Sequence, residues 1–171
     1  SEGAEIPYPP QTNDFQFEVE LVVAIGKAAE NAPPESALEL VYGYAVGVDL
    51  TRRDRQRDSF AKGLPWEVGK SFDNSAACGP IHPASAFGHR LAGAISIEVN
   101  GVERQRGDLK QMIWTTPEII ANLSTFYRLE PGDLIMTGTP AGVGPLQPGD
   151  TLVAHVEGLT PFSFSIGAKV S

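Results

Sequence analysis

The chain has 171 residues, 42% of them apolar, with 18 glycines, 14 prolines and a formal net charge of -8. That length and apolar content fit one domain with a sizeable core, and the Gly and Pro content favours strands and tight turns over a helical bundle. The acidic balance excludes a nucleic-acid partner, which needs clustered Lys and Arg, and the single cysteine, Cys78, excludes an intrachain disulfide and a thiolate metal cluster.

The opening SEGAEIPYPPQTND is proline-rich and lacks an initiator Met, so it reads as the middle of a longer chain. No apolar run approaches the ~20 residues that cross a bilayer, and a cytoplasmic protein with no membrane partner is expected. Phe15 to Gly26 reads as one buried strand with Glu18 and Glu20 on the same face. Phe15, Phe17, Val19, Leu21 and Val23 form the other face, and Val22 and Ala24 continue the glutamate face as apolar positions. Pro33-Pro34-Glu35 opens a short helix through Ala37, Leu38 and Val41. Tyr42 to Leu50 reads as a second buried strand carrying Asp49 near its end, and Arg52 to Gly63 as a charged surface helix stopped by glycine.

Further on, Asn100-Gly101 between alternating residues predicts a two-residue hairpin over Ala94 to Arg104. Thr116-Pro117-Glu118 followed by Ile119, Ile120, Leu123 and Phe126 predicts a capped amphipathic helix. Two Pro-Gly-Asp triplets, starting at Pro131 and Pro148, read as turns before the strands LIMTG and TLVAHV. Between them Thr137 to Gly144, TGTPAGVG, is a loop whose glycines let backbone amides approach a ligand, with neither a phosphate-loop nor a dinucleotide spacing. Trp66 and Trp114 are expected in packing roles, His82, His89 and His155 in surface or packing roles, and no long exposed apolar stripe is legible.

Two adjacent carboxylates that are partly withdrawn from water repel each other, so either one is protonated or a cation holds both ionised. An edge strand with a solvated polar face is the plainer alternative for Glu18 and Glu20 alone. If the strand carrying Asp49 lies beside theirs, Glu18, Glu20 and Asp49 form a hard oxygen set suited to magnesium, manganese or calcium. Lys70 or Arg53 would then balance the charge and attract a substrate carboxylate.

Glu-x-Glu at Glu18 and Glu20, the block GYAVGVDLTRRDRQ ending at Gln56, GLPWEVGKSFD around Lys70, and PGDLIMTGTPAGVG from Pro131 occur in that order. With them the chain resembles the fumarylacetoacetate hydrolase family, and within it the fumarylpyruvate hydrolase and acylpyruvase branch, from about Ile6 onward. The resemblance implies a mixed α/β, β-rich fold, a mixed β-roll with short helices, in a single catalytic domain over 1–171 and usually a homodimer. It implies Glu18, Glu20 and Asp49 as ligands of a divalent cation, Mg2+ first and Mn2+ or Ca2+ next. Arg53, Gln56, Lys70 and Thr139 match substrate-contacting positions, with Lys70 stabilising developing charge. The activity implied is hydrolysis of a carbon–carbon bond in a 2,4-dioxo acid, fumarylpyruvate or another acylpyruvate, giving pyruvate and a carboxylic acid.

Two departures accompany the resemblance. The family's N-terminal segment with a water-activating His and Glu has no counterpart here, which suggests a lid in a longer chain, and Gln16-Phe17 stands where the branch often has two histidines. Decarboxylation or tautomerisation of oxaloacetate, which needs no attacking water, is therefore the alternative activity. A non-catalytic binding protein stapled by the metal is the third.

Overall fold

Residues Phe15 to Ile25 are buried without interruption, so every backbone N–H and C=O along them needs a partner. They find partners in two different sheets. The computed structural model describes residues 3–169; residues 1–2 and 170–171 of the expected 1–171 domain lie outside them. The strands in chain order are β1 (Ala4–Tyr8), β2 (Phe15–Phe17), β3 (Val19–Ile25), β4 (Val41–Asp49), β5 (Thr51–Arg52), β6 (Ala76–Cys78) and β7 (His82–Pro83). They continue with β8 (Ala94–Val99), β9 (Val102–Asp108), β10 (Leu134–Met136), β11 (Gly144–Pro145), β12 (Thr151–Val156) and β13 (Phe162–Lys169). Four short α-helices, α1 (Arg53–Ala61), α2 (Glu67–Lys70), α3 (Ala84–Phe87) and α4 (Thr116–Phe126), connect them, and the architecture is mixed α/β and sheet-rich.

One sheet runs β1-β13-β12-β8-β9, a second β10-β3-β4-β6 with β7 also on β4, and a third, smaller one β11-β2-β5. The single strand expected from Phe15 to Gly26 is thus two: β2 belongs to the small sheet and β3 to the second, with Glu18 at the switch between them. At the small sheet β5 pairs with β2, and beside that pairing the Arg53 N–H reaches back to the Asp14 carbonyl at 2.8 Å. The first two large sheets face each other, with β8 against β3 and β12 against β4. Between them lies the core of Val19, Leu21, Val23, Tyr44, Val46 and Val48 on one side and Ile95, Ile97, Leu152, Ala154, Phe162 and Phe164 on the other. Strict alternation of burial along β8 and β12 supplies that inner face.

Several expected elements appear where the local chemistry demands them. Asn100 and Gly101 take φ of 53° and 74°, the left-handed pair that a two-residue hairpin between β8 and β9 needs. Helix α1 runs Arg53–Ala61, with Gly63 just beyond it at φ 63°. Glu118 accepts the Thr115 N–H at 2.7 Å and so caps α4. In both Pro-Gly-Asp turns the aspartate closes on a backbone N–H three residues back: Asp133 accepts from Glu130 at 2.8 Å and Asp150 from Gln147 at 2.7 Å.

Other expectations are corrected. Pro34–Leu40 is a 3-10 helix, and Val41 already belongs to β4. On α4 the buried positions are Thr116, Ile120, Ala121 and Ser124, whereas Phe126 is exposed. The Asn31–Ala32 backbone bonds Ser124 and turns that polar side inward. Trp66 and Trp114 are 48% and 50% exposed, and Phe60, Leu64 and Val68 near Trp66 are exposed as well, so an apolar surface exists that the sequence did not announce. Among the described residues no helix is long and apolar enough to cross a membrane.

Strand β4 carries glycines where its neighbours press on it. A Cβ added at Gly43 would sit 2.3 Å from the His82 carbonyl oxygen in β7, and a backbone atom cannot step aside alone. Gly43→Ala is expected to cost about 1–3 kcal/mol, read as a lowered Tm in a thermal melt. An unchanged Tm would show that β7 is not fixed against β4.

Candidate metal centre

The pairing of β3 with β4 decides where three acids meet. Glu20 lies opposite Gly47 and Val19 opposite Val48; one step further the Asp49 N–H bonds the Glu18 carbonyl at 2.8 Å. Asp49 is therefore the cross-strand partner of Glu18, and its side chain shares the face that Glu18 and Glu20 share. One carboxylate oxygen from each of Glu18, Glu20 and Asp49 lies within 4.8 Å of the others. Gly47 keeps that face open, because a Cβ there would meet Val22 Cγ2 at 2.4 Å and Met136 Cε at 3.1 Å.

Two cations reach the same carboxylates. Lys70, at the end of α2, donates to Glu18 Oε2 at 2.7 Å, Asp49 Oδ2 at 2.7 Å and Thr51 Oγ1 at 2.8 Å. Its helix comes close because Gly69 presses on α1, where a Cβ would be 2.9 Å from the Gln56 nitrogen. Arg53 opens α1 and spreads its guanidinium over three acceptors: Nη2 on Glu18 Oε1, Nε on Gln16 Oε1 at 2.9 Å and Nη1 on Gln56 Oε1 at 2.5 Å. Arg53 and Gln56 are one helical turn apart, so they share a face of α1.

Thr139 stands on the loop after β10, and the neighbouring Gly138 N–H donates to Glu20 Oε2 at 2.6 Å. The structure thus brings together Glu18, Glu20, Asp49, Lys70 and Arg53, with Gln56 attached through Arg53 and Thr139 through its loop. The histidines are engaged elsewhere: His82 Nε2 pairs with Thr160 Oγ1 at 2.9 Å, His89 Nδ1 with the Tyr44 hydroxyl at 2.8 Å, and His155 lies on β12.

Three polar residues complete the surroundings; the sequence marked only Gln16 among them, as a departure from the family pattern, and singled out neither Thr51 nor Gln105. Gln16 props Arg53, Thr51 holds Lys70, and Gln105, 1% exposed on β9, accepts the Val19 N–H at 3.0 Å. Gln105 sits in the polar run ERQRGD, where nothing in the pattern distinguishes an inward side chain.

Burial pushes the Glu20 carboxyl up to about 7, against the Gly138 N–H that lowers it, and the nearby Asp49 and Glu18 charges add to the rise. Burial also raises Asp49, with Lys70 opposing. Three carboxylates against Lys70 and Arg53 leave this cluster with one excess negative charge, and a divalent cation would turn it to one positive charge. Among the described residues one oxygen of Glu20 and one of Asp49 receive no hydrogen bond. Hard oxygens, free lone pairs and excess negative charge fit a divalent cation, with Glu18, Glu20 and Asp49 as the residues that could hold it.

Open space adjoins the cluster at Asp49 and Lys70, and a second cleft lies against the loop that carries Gly138 and Thr139. One cleft of about 640 Å³ is lined by Asp49, Lys70, Phe72 and Met136 among others. Another, of about 740 Å³, lies between the Thr137–Ala141 loop and the apolar Met112, Ile113, Trp114 and Ile119.

Known proteins share this arrangement of chain. The family model described as fumarylacetoacetate (FAA) hydrolase C-terminal matches residues 1–166, and the chain belongs to that family. It is 46% identical over 165 residues to a fumarylpyruvate hydrolase of Ralstonia sp, covering 96% of this chain and 85% of that protein. It is 39% identical over 173 residues to a mitochondrial oxaloacetate tautomerase of Homo sapiens, covering 96% of this chain and 75% of the relative. A crystal structure of fumarylpyruvate hydrolase from Pseudomonas aeruginosa in complex with Mn2+ and pyruvate superposes with a TM-score of 0.96 at 47% identity, covering 98% of this chain and 72% of that one.

The raised Glu20 value sets a pH dependence. A carboxyl whose value rises from 4.5 to about 7 on folding contributes its full stability below 4.5, loses it progressively as pH rises, and contributes none above about 7. A divalent cation competes with that proton, so the increase in Tm on adding Mn2+ is expected to be small near about pH 5 and to level off above about pH 7. An equal increase at both ends of the range, measured by scanning calorimetry, would contradict this.

Proposed function

We propose that this member of the fumarylacetoacetate hydrolase family is a divalent-cation-dependent hydrolase cleaving a carbon–carbon bond in a 2,4-dioxo acid, fumarylpyruvate or another acylpyruvate, to pyruvate and a carboxylic acid. The observation that carries it is the meeting of three hard carboxylates with Lys70 and Arg53 beside open clefts. The relative that is a fumarylpyruvate hydrolase and the neighbour holding Mn2+ and pyruvate support the same substrate class.

In this proposal Glu18, Glu20 and Asp49 ligate the cation, and Arg53, Gln56, Lys70 and Thr139 contact the substrate. When bound, a divalent cation, Mg2+ or Mn2+, supplies Lewis acidity at the 2-oxo oxygen and stabilises enolate charge. Lys70, held between Glu18, Asp49 and Thr51, offers its ammonium to negative charge developing on a substrate oxygen. Arg53 is held by Gln16 and Gln56 and fixes the direction of the Glu18 carboxylate that it contacts. The Thr139 hydroxyl orients the acid. Water adds to the distal carbonyl carbon, the bond between that carbon and C3 breaks, and the electron pair leaves with the pyruvate fragment as its enolate, which takes a proton at C3. The acyl arm then lies along the Thr139 loop toward the apolar cleft of Met112 and Trp114.

A second reading is favoured by one observation: among the described residues no histidine touches the carboxylate cluster. Oxaloacetate tautomerisation or decarboxylation needs no attacking water, and relatives at 37–39% identity carry those names. We also propose a homodimer, supported by the exposed Phe60, Leu64, Trp66 and Val68, and a cytoplasmic setting consistent with the free Cys78 thiol.

Incubating the protein and Mg2+ or Mn2+ with acetylpyruvate, fumarylpyruvate and oxaloacetate tests these readings. Pyruvate plus the matching acid is expected, and Lys70→Met is expected to lower kcat about 10²–10³-fold. Turnover of oxaloacetate alone would replace hydrolysis by the second reading, and no turnover of any of the three would overturn both.

A further inference from the structure

We infer that Gln105 is a positioning residue whose buried carboxamide fixes the backbone between Glu18 and Glu20 at one end and aims the Thr139 hydroxyl at the substrate with the other. This rests on the function proposed above. Gln105 is the one buried side chain along β9, and it spans from the strand switch to the loop after β10.

The orientation of the amide is fixed by its partners. Val19 N–H can only donate, so the group 3.0 Å from it is Oε1. The Pro140 carbonyl can only accept, so the group 2.7 Å from it is Nε2. That nitrogen's remaining hydrogen goes to Thr139 Oγ1 at 2.9 Å, which makes the hydroxyl oxygen an acceptor there. A hydroxyl has one hydrogen, and with its lone pair engaged by Gln105 that hydrogen is free for another acceptor. Among the described residues Thr139 Oγ1 donates to no protein group, and Thr139 is half-buried on a cleft wall. The acceptor it suits is a carboxylate or oxo oxygen of the substrate.

At the other end, Val19 separates the two glutamates where β2 gives way to β3, and it is fully buried. Without Gln105 its N–H would lose the one side-chain partner it has among the described residues. Two glycines let the loop settle on β9 closely enough for the span: a Cβ at Gly142 would be 2.5 Å from the Arg104 carbonyl oxygen, and one at Gly107 2.9 Å from Pro140 Cβ. A single side chain therefore ties the spacing of the proposed cation ligands to the direction of a proposed substrate contact.

Gln105→Glu separates the two jobs. It retains an acceptor for Val19 N–H but cannot donate to Pro140, and it offers Thr139 an acceptor that turns the hydroxyl inward. Calorimetry on the full-length protein reads both ends, with Mn2+ affinity and pyruvate affinity of the Mn2+-loaded protein measured separately. Gln105→Glu is expected to weaken pyruvate binding about tenfold, to raise KM for acetylpyruvate more than it lowers kcat, and to leave Mn2+ affinity within about twofold. In a Thr139→Val background the same substitution should add no further loss. Wild-type pyruvate binding by Gln105→Glu, or losses that add in the double variant, would overturn the inference. If Gln105→Glu does not fold, Thr139→Val must itself lose pyruvate about tenfold while Thr139→Ser keeps it, and equal binding by all three proteins would overturn it. Failure of the unsubstituted protein to bind Mn2+ or pyruvate would overturn the functional reading and this inference together, whereas normal binding with indifferent variants overturns only the inference.

Discussion

Mutual repulsion among three carboxylates gathered where two strands meet is the constraint around which the rest of this chain is organised. Glu18 and Glu20 are buried and Asp49 is half-buried, and ionised groups so placed are unfavourable without opposite charge and hydrogen bonds. The fold answers with Lys70 and Arg53, brought in from two short helices, and with the Gly138 N–H from a loop distant in sequence. The count still leaves negative charge over. A divalent cation would complete the compensation that these groups begin, and under the proposed function its positive charge would draw an anionic keto acid.

Each supporting element can be understood as holding one of those charges in place. β4 is packed through glycines, so Asp49 can face Glu18 at strand spacing. Gly69 lets α2 lie on α1, so Lys70 and Arg53 converge on one carboxylate. Gln16 fixes the guanidinium from beneath, and Gln105 joins the strand switch to the Thr139 loop. The apolar core between the two large sheets gives this polar cluster a rigid base, since β3 and β4 are packed on β8 and β12. A site on such strands is held more firmly than one on loops alone.

Much of this was legible in the residues. The alternation of Glu18 and Glu20, the Asn100-Gly101 hairpin and the Pro-Gly-Asp turns are local chemistry, and local chemistry can be read along a chain. The juxtaposition of Asp49 with Glu18 depends on antiparallel register, which spacing alone does not determine. The division of Phe15 to Gly26 into β2 and β3 was not legible either, because the apolar pattern runs straight through Glu18 while the partner changes. Gln105 was hidden for a related reason: it lies in a polar run and turns inward only because the Thr139 loop and the Val19 N–H both need it. Phe126 misled in the opposite direction, since its helical spacing fits a buried face that the Ser124 contact rotates away.

The most direct examination of this account is a crystal grown with Mn2+ and measured at a wavelength where manganese scatters anomalously. One strong peak per chain, within bonding distance of carboxylate oxygens from Glu18, Glu20 and Asp49, is the result the account predicts. A peak bound by other residues, or a map in which these three carboxylates surround no anomalous scatterer, would contradict it.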